Sequence, residues 1–147
     1  MKRFRFSLEK VLELRKYLEQ ETRLELGRAV RDLQAVEDRL RETGAARQEA
    51  AAARFSSGNT LEIINYEHYI NRLDREKEKL LKDAAAAELA VEEKRERYLA
   101  ASRDRKVVDK LREKREAGHR KETAAEERAE LDDIASDRRM RRLANGG

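Results

Sequence analysis

The chain has 147 residues, 45% of them charged and 5% aromatic, with no Trp, no Pro and a mean hydropathy of -1.00. Bulky apolar residues are too few for the thick core of a compact globule, while 35 Lys and Arg nearly balance 31 Asp and Glu, unlike the one-sided charge of a disordered tail. Ala, Leu, Glu, Lys and Arg dominate, all strong helix formers, so the composition reads as long helix.

The absence of Cys leaves no disulfide framework, thiolate metal site or catalytic thiol, and fits a reducing compartment. The opening "MKRFRFSLEKVLELRK" meets a charge every few positions and lacks the apolar centre of a signal peptide. No later stretch approaches the roughly 20 apolar residues of a membrane span. The expected location is the cytoplasm or the cytoplasmic face of the membrane. A net charge of +4 is a weak bias, since nucleic-acid binders gather their cations on one face. The one compact basic cluster, "RRMRR", reads as a solvated helix end favoured by the helix dipole.

Along the chain, Ser7 is placed to cap a first helix, with Phe6 before it able to staple onto Val11. Apolar positions then step through Val11, Leu14 and Leu18, slip in phase through Thr22, and resume at Leu26, Ala29, Leu33, Val36 and Leu40 in alternating threes and fours, a coiled-coil stripe. The stripe thins to alanine over residues 45–53 and stops at "SSGN", where Ser, Gly and Asn supply turn chemistry. Asn59 followed by Glu62 three residues on forms a capping box for a second helix.

The second stripe runs without error through Ile63, Tyr66, Ile70, Leu73, Lys77, Leu80, Ala84, Ala87, Val91, Lys94, Tyr98, Ala101, Arg105 and Val108. A seam of that length requires a partner helix, most simply the first helix folded back. The expected fold is therefore all-α: a long antiparallel two-helix coiled-coil hairpin, one domain over 1–147. Helix one covers about 7–55, the turn 56–59, helix two about 60–137, and a flexible tail 138–147. In this register Phe6 faces Val108, and beyond Val108 helix two overhangs as a polar C-terminal arm without a partner. Apolar residues return only at Leu131, Ile134 and Met140, a short face that points to an external partner.

Candidate chemistry is sparse. Glu116 and His119 make a single Glu-x-x-His, whereas bundle metal sites use two with two further carboxylates, so no metal, no cofactor and no enzyme activity are expected. His68 reads as a partly exposed helix residue. Around the break, Phe55 lies at the tip, Tyr66 on the seam, and Tyr69 on the flank, where an amphipathic ring of low rotamer entropy makes a contact anchor.

Three stretches, "FRFSLEKVLELRK", "INYEHYINRL" and "ELDDIAS" followed by basic residues, resemble the flagellar export protein FliJ family, with YscO-type proteins of virulence type III secretion as relatives. The resemblance implies a coiled coil similar to the rotary stalk subunit of F-type ATPases. Its implied partners are the hexameric flagellar export ATPase, entered by the terminal end, the cytoplasmic region of the export gate protein FlhA, and empty export chaperones. Aligning "INYEHYINRL" carries the family's gate-binding surface onto Tyr69 and Leu73, and one further turn to Leu80; Phe55 is added from its place at the tip. Phe4, Phe6, Leu131 and Ile134 are assigned to the ATPase ring because they are apolar where the hairpin offers them little core. The expectation is a cytoplasmic monomer, peripheral at the inner face of the membrane, binding no nucleic acid. The alternative is a generic coiled-coil scaffold or homodimeric adaptor.

Overall fold

The computed structural model describes residues 2–146 and is all-α. Helix α1 covers Glu9–Ser56 and α2 covers Thr60–Asn145, and the two pack against each other as a helical hairpin. The packing falls into two compact units: Met1–Tyr17 with Ser102–Gly147, termed the terminal unit, and Leu18–Ala101, termed the loop unit. Helix α2 passes the expected end at residue 137, because Arg, Met, Leu and Ala continue it until Gly146. The Gly146 N–H closes the last turn on the Arg142 carbonyl at 2.9 Å.

The loop between the helices is fastened by side chains. Ser56 Oγ donates to the carbonyls of Ala52 at 3.1 Å and Ala53 at 3.2 Å, satisfying groups that the end of α1 leaves open. Asn59 Oδ1 accepts the Leu61 N–H at 2.9 Å, the N-cap bond expected of it. Glu62 does not reach back to the Asn59 amide. Ser57 stands between them, its Oγ accepting the Asn59 N–H at 3.3 Å and donating to Glu62 at 2.8 Å. The capping box is thus relayed through a hydroxyl.

The start of α1 differs from expectation. Ser7 is no cap: its Oγ accepts from Arg115 at 3.0 Å, and the first helical bonds run from Leu12 N–H to Leu8 O at 2.9 Å and from Glu9 N–H to Phe6 O at 3.2 Å. Phe6 is buried and Val11 exposed, so the staple does not form; the Arg115 guanidinium lies over the Phe6 ring at 5.7 Å.

The buried stripe of α1 also begins elsewhere. Val11, Leu14 and Leu18 are exposed, whereas Leu12 is 1% exposed. From Leu12 the inward positions run through Arg15, Glu19, Thr22, Leu26, Ala29, Leu33, Val36, Leu40, Thr43 and Ala50, in unbroken threes and fours apart from the exposed Arg47. No phase slip occurs, because Arg15 and Glu19 occupy seam positions with their aliphatic stems. On α2, Ile70, Leu73, Leu80 and Val91 are buried, with Ser102 added, while Lys77 is exposed.

Antiparallel order is written in the ion pairs. Within the loop unit Glu25 meets Lys94 at 3.4 Å, Arg39 meets Glu76 at 3.4 Å, Arg47 meets Asp74 at 2.6 Å and Arg54 meets Glu67 at 3.8 Å. Within the terminal unit Arg15 meets Asp104 at 2.9 Å and Glu9 meets Arg112 at 3.0 Å. These partners lie between one and seven residues farther along α2 than the register that set Phe6 against Val108. Helical side chains lean toward their own N-terminus, and in an antiparallel pair the two leans add, so long side chains meet beyond the level of their backbones.

A second correction concerns the overhang. Lys2–Phe6 is not helical, and an extended residue spans about twice the rise of a helical one. This strap accordingly reaches His119, whose Nε2–H donates to the Lys2 carbonyl at 2.9 Å. Helix α2 therefore has a partner well past Val108, and its bare stretch starts after Thr123.

Leu12→Ala is expected to cost about 3 kcal/mol, and Lys77→Ala less than about 0.5 kcal/mol, when urea unfolding is followed by circular dichroism. A Leu12→Ala protein with the parent's midpoint would show that α1 packs through Val11 and Leu14 instead.

Candidate functional site

In the loop unit, Tyr69 is 38% exposed, with the Arg72 guanidinium 5.5 Å from its ring centroid. Tyr66, on the seam, is half-buried. Both rings border a cleft of about 280 Å³ with Ala46, Glu49, Ala50 and Ala53. The alanines of α1 are small enough to leave the side of Tyr69 open.

Phe55 is 93% exposed, and Leu61 and Ile64 beside the loop are exposed as well. Sequence reading missed Leu61 and Ile64 because it followed the seam. Their own spacing of three, on the face of α2 away from Ile63 and Ile70, was the available signal. Leu73 and Leu80, by contrast, are buried in the hairpin. They share the repeat of Ile70 and pack in the seam with it.

Nearby, Arg47 donates to Asp74 at 2.6 Å, and this hydrogen bond, followed by the charge attraction, raises the guanidinium pKa. A pKa raised on folding stabilises at every pH below the unfolded value and is lost only as pH climbs through the folded one. For an arginine that window lies far on the alkaline side, so the Arg47 guanidinium stays protonated near neutrality.

In the terminal unit the strap is gripped from α2. The Phe4 and His119 rings lie 5.6 Å apart, tilted at 45°, and the Arg112 guanidinium is 6.0 Å from the Phe4 ring. The hydrogen bond from Arg112 to Glu9, before their charge attraction, raises the Arg112 pKa. Glu116 is engaged by Arg112 at 3.6 Å and Arg120 at 3.7 Å, so the Glu-x-x-His pair is divided between other partners. Phe6, expected on the docking surface, is buried and Phe4 half-buried, while Leu131 at 65% and Ile134 at 49% stay exposed.

Met140, Leu143, Val11, Leu14 and Tyr17 are further exposed apolar residues of this unit. Val11 and Leu14 were missed because they had been placed in the seam. From residue 124 onward every described residue of α2 is exposed. Leu131, Ile134 and Ala135 line a cleft of about 370 Å³ with Arg138, Arg139 and Arg142.

Among the described residues no helix is long and apolar enough to cross a membrane, and no three His, Cys, Asp or Glu side chains are grouped to hold a metal ion. Nothing among curated proteins or solved structures matches the chain. A family model described as "Flagellar FliJ protein" matches residues 4–144. A match over nearly the whole length makes this helical hairpin a member of the flagellar FliJ protein family, a component of flagellar export associated with the export apparatus.

Proposed function

We propose that the chain docks through its terminal unit in the hexameric flagellar export ATPase, engages the cytoplasmic region of the export gate protein FlhA through the loop unit, and handles empty export chaperones. It acts as a monomer, peripheral to the inner face of the membrane, and binds no nucleic acid. The observation that carries the ring assignment is the bare end of α2. At about 100° per residue, Leu131 and Ile134 fall on one side of the helix and Met140 and Leu143 on the other, and all four are exposed. A helix apolar on opposite sides suits burial all round, which a socket provides and a flat surface does not.

For the gate, the reading rests on Tyr69 and Phe55. Tyr69 stands on α2 and borders a cleft, so little backbone ordering entropy is lost when a partner fills it. A second reading, the homodimeric adaptor, draws on the exposed Val11 and Leu14, which are spaced to form a further helical stripe. Sedimentation equilibrium separates the two, since only the adaptor gains mass with concentration.

Tyr69→Ala is expected to weaken binding of the FlhA cytoplasmic region by about 1 kcal/mol or more while shifting stability by less than about 0.5 kcal/mol. A calorimetric titration beside a thermal melt checks both, and unchanged affinity would remove Tyr69 from the gate contact. Deleting residues 131–147 is expected to abolish stimulation of the ATPase while the rest of the chain keeps its helical circular dichroism. Undiminished stimulation would refute docking by this end.

A further inference from the structure

The charges of the chain are divided unequally between its two units. The terminal unit holds 20 Lys and Arg against 13 Asp and Glu, a net of +7, and the loop unit 15 against 18, a net of -3. The excess is sharpest at the end of α2, where Arg138, Arg139, Arg141 and Arg142 follow one another with no acidic residue after Asp137. Each of the four is exposed, and among the described residues none is paired with a carboxylate. Four neighbouring cations that neutralise nothing within the fold repel one another, and a partner of opposite sign relieves that repulsion.

We infer that the socket receiving this end is lined with carboxylates facing Arg138, Arg139, Arg141 and Arg142, so that the terminal unit recognises an acidic protein surface. The inference rests on the docking reading above and names the chemistry of that site.

Three observations choose protein over other polyanions. From Arg128 onward every cation is Arg and none is Lys; the guanidinium fork pairs with carboxylates in two-bond geometry and tolerates interfaces better than an ammonium. Arg138 and Arg142 line the same cleft as Leu131 and Ile134, so the occupant must offer apolar and anionic groups within a few ångströms, as interface centres with acidic rims do. Asp132, Asp133 and Asp137 occupy the same turns of helix. An extended phosphate surface would meet these three carboxylates, and a bilayer would bury only one side of a helix whose apolar residues stand on two.

The strap adds to the same field. Lys2, Arg3, Arg5 and Arg115 border a second concavity of about 490 Å³ in the terminal unit, where Glu122 is the acidic member. Its sign matches that of the helix end, as expected if one acidic partner is steered toward the whole unit.

The test titrates the hexameric export ATPase with the full chain at rising salt. It compares the parent with two quadruple variants, one carrying Arg138→Gln, Arg139→Gln, Arg141→Gln and Arg142→Gln, the other carrying Lys at the same four positions. Circular dichroism confirms that each stays helical. The parent should lose affinity steeply with salt, the Gln variant should bind more weakly by on the order of tenfold with a flatter salt dependence, and the Lys variant should keep the slope. A Gln variant with the parent's affinity and slope overturns the inference while leaving docking intact, whereas a parent that does not bind at low salt overturns the docking reading itself. Parallel titrations use phosphatidylglycerol-containing vesicles and a single-stranded oligoribonucleotide. Loss of binding to either in the Gln variant, with ATPase binding unchanged, would assign the arginines to phosphate and overturn the inference as well.

Discussion

Everything in this fold depends on a seam that neither helix can bury alone. Long helices in water draw their stability from packing one face, since propensity by itself is marginal, and here that face is thin. Ala29, Ala50, Ile70, Leu73, Leu80 and Val91 are buried in the loop unit, where large aliphatic groups alternate with methyls. Polar residues fill several remaining seam positions, and Arg15 and Lys94 answer carboxylates on the opposite helix. Such half-exposed pairs contribute little to stability. Their value lies in register, because a shift of one helix along the other would separate many pairs at once.

The same economy accounts for where contact surfaces lie. A chain with so few large apolar groups hides most of them in the seam, and those left outside collect beside the loop and along the bare end of α2. Around the loop, Phe55, Leu61 and Ile64 stand clear of the packing, with Tyr69 on the flank. In the terminal unit, the strap covers α2 as far as His119, and the helix continues uncovered beyond it. Protein surfaces carry many apolar atoms without meaning, but clusters at points where the fold has stopped using them call for another occupant.

Much of this was legible in the sequence. The break at "SSGN", the N-cap at Asn59 and the second stripe apart from the exposed Lys77 follow from spacing and turn chemistry. The first stripe was misread for a definite reason. Val11, Leu14 and Leu18 are more apolar than Arg15 and Glu19, and a reading by hydropathy prefers them, yet Leu12 has the phase that meets α2. Only the partner helix decides between two overlapping stripes, and its phase at that level is a tertiary fact. The strap was illegible for a similar reason. Phe4 and Phe6 precede any helix signal, and their seats on Arg112, Arg115 and His119 are made by residues more than a hundred positions away. Of the expected contact residues, Tyr69, Phe55, Leu131 and Ile134 are placed outside the packing, while Leu73, Leu80 and Phe6 are claimed by the core because they satisfy the seam or the strap first.

What a surface built on helix offers an export apparatus is position held with little reorganisation. Side chains on continuous helix are set by the backbone, so a partner that closes on Tyr69 or on the end of α2 has few loops to order, and the ordering cost that weakens flexible binders is largely absent. Arginines gain most from this arrangement, since their forks are already planar and the helix fixes their spacing. A lysine-rich coil of equal charge would attract an acidic surface just as strongly from a distance. On contact its ammonium groups would lack the two-bond geometry of the guanidinium fork, and more side-chain entropy would be lost for each hydrogen bond formed.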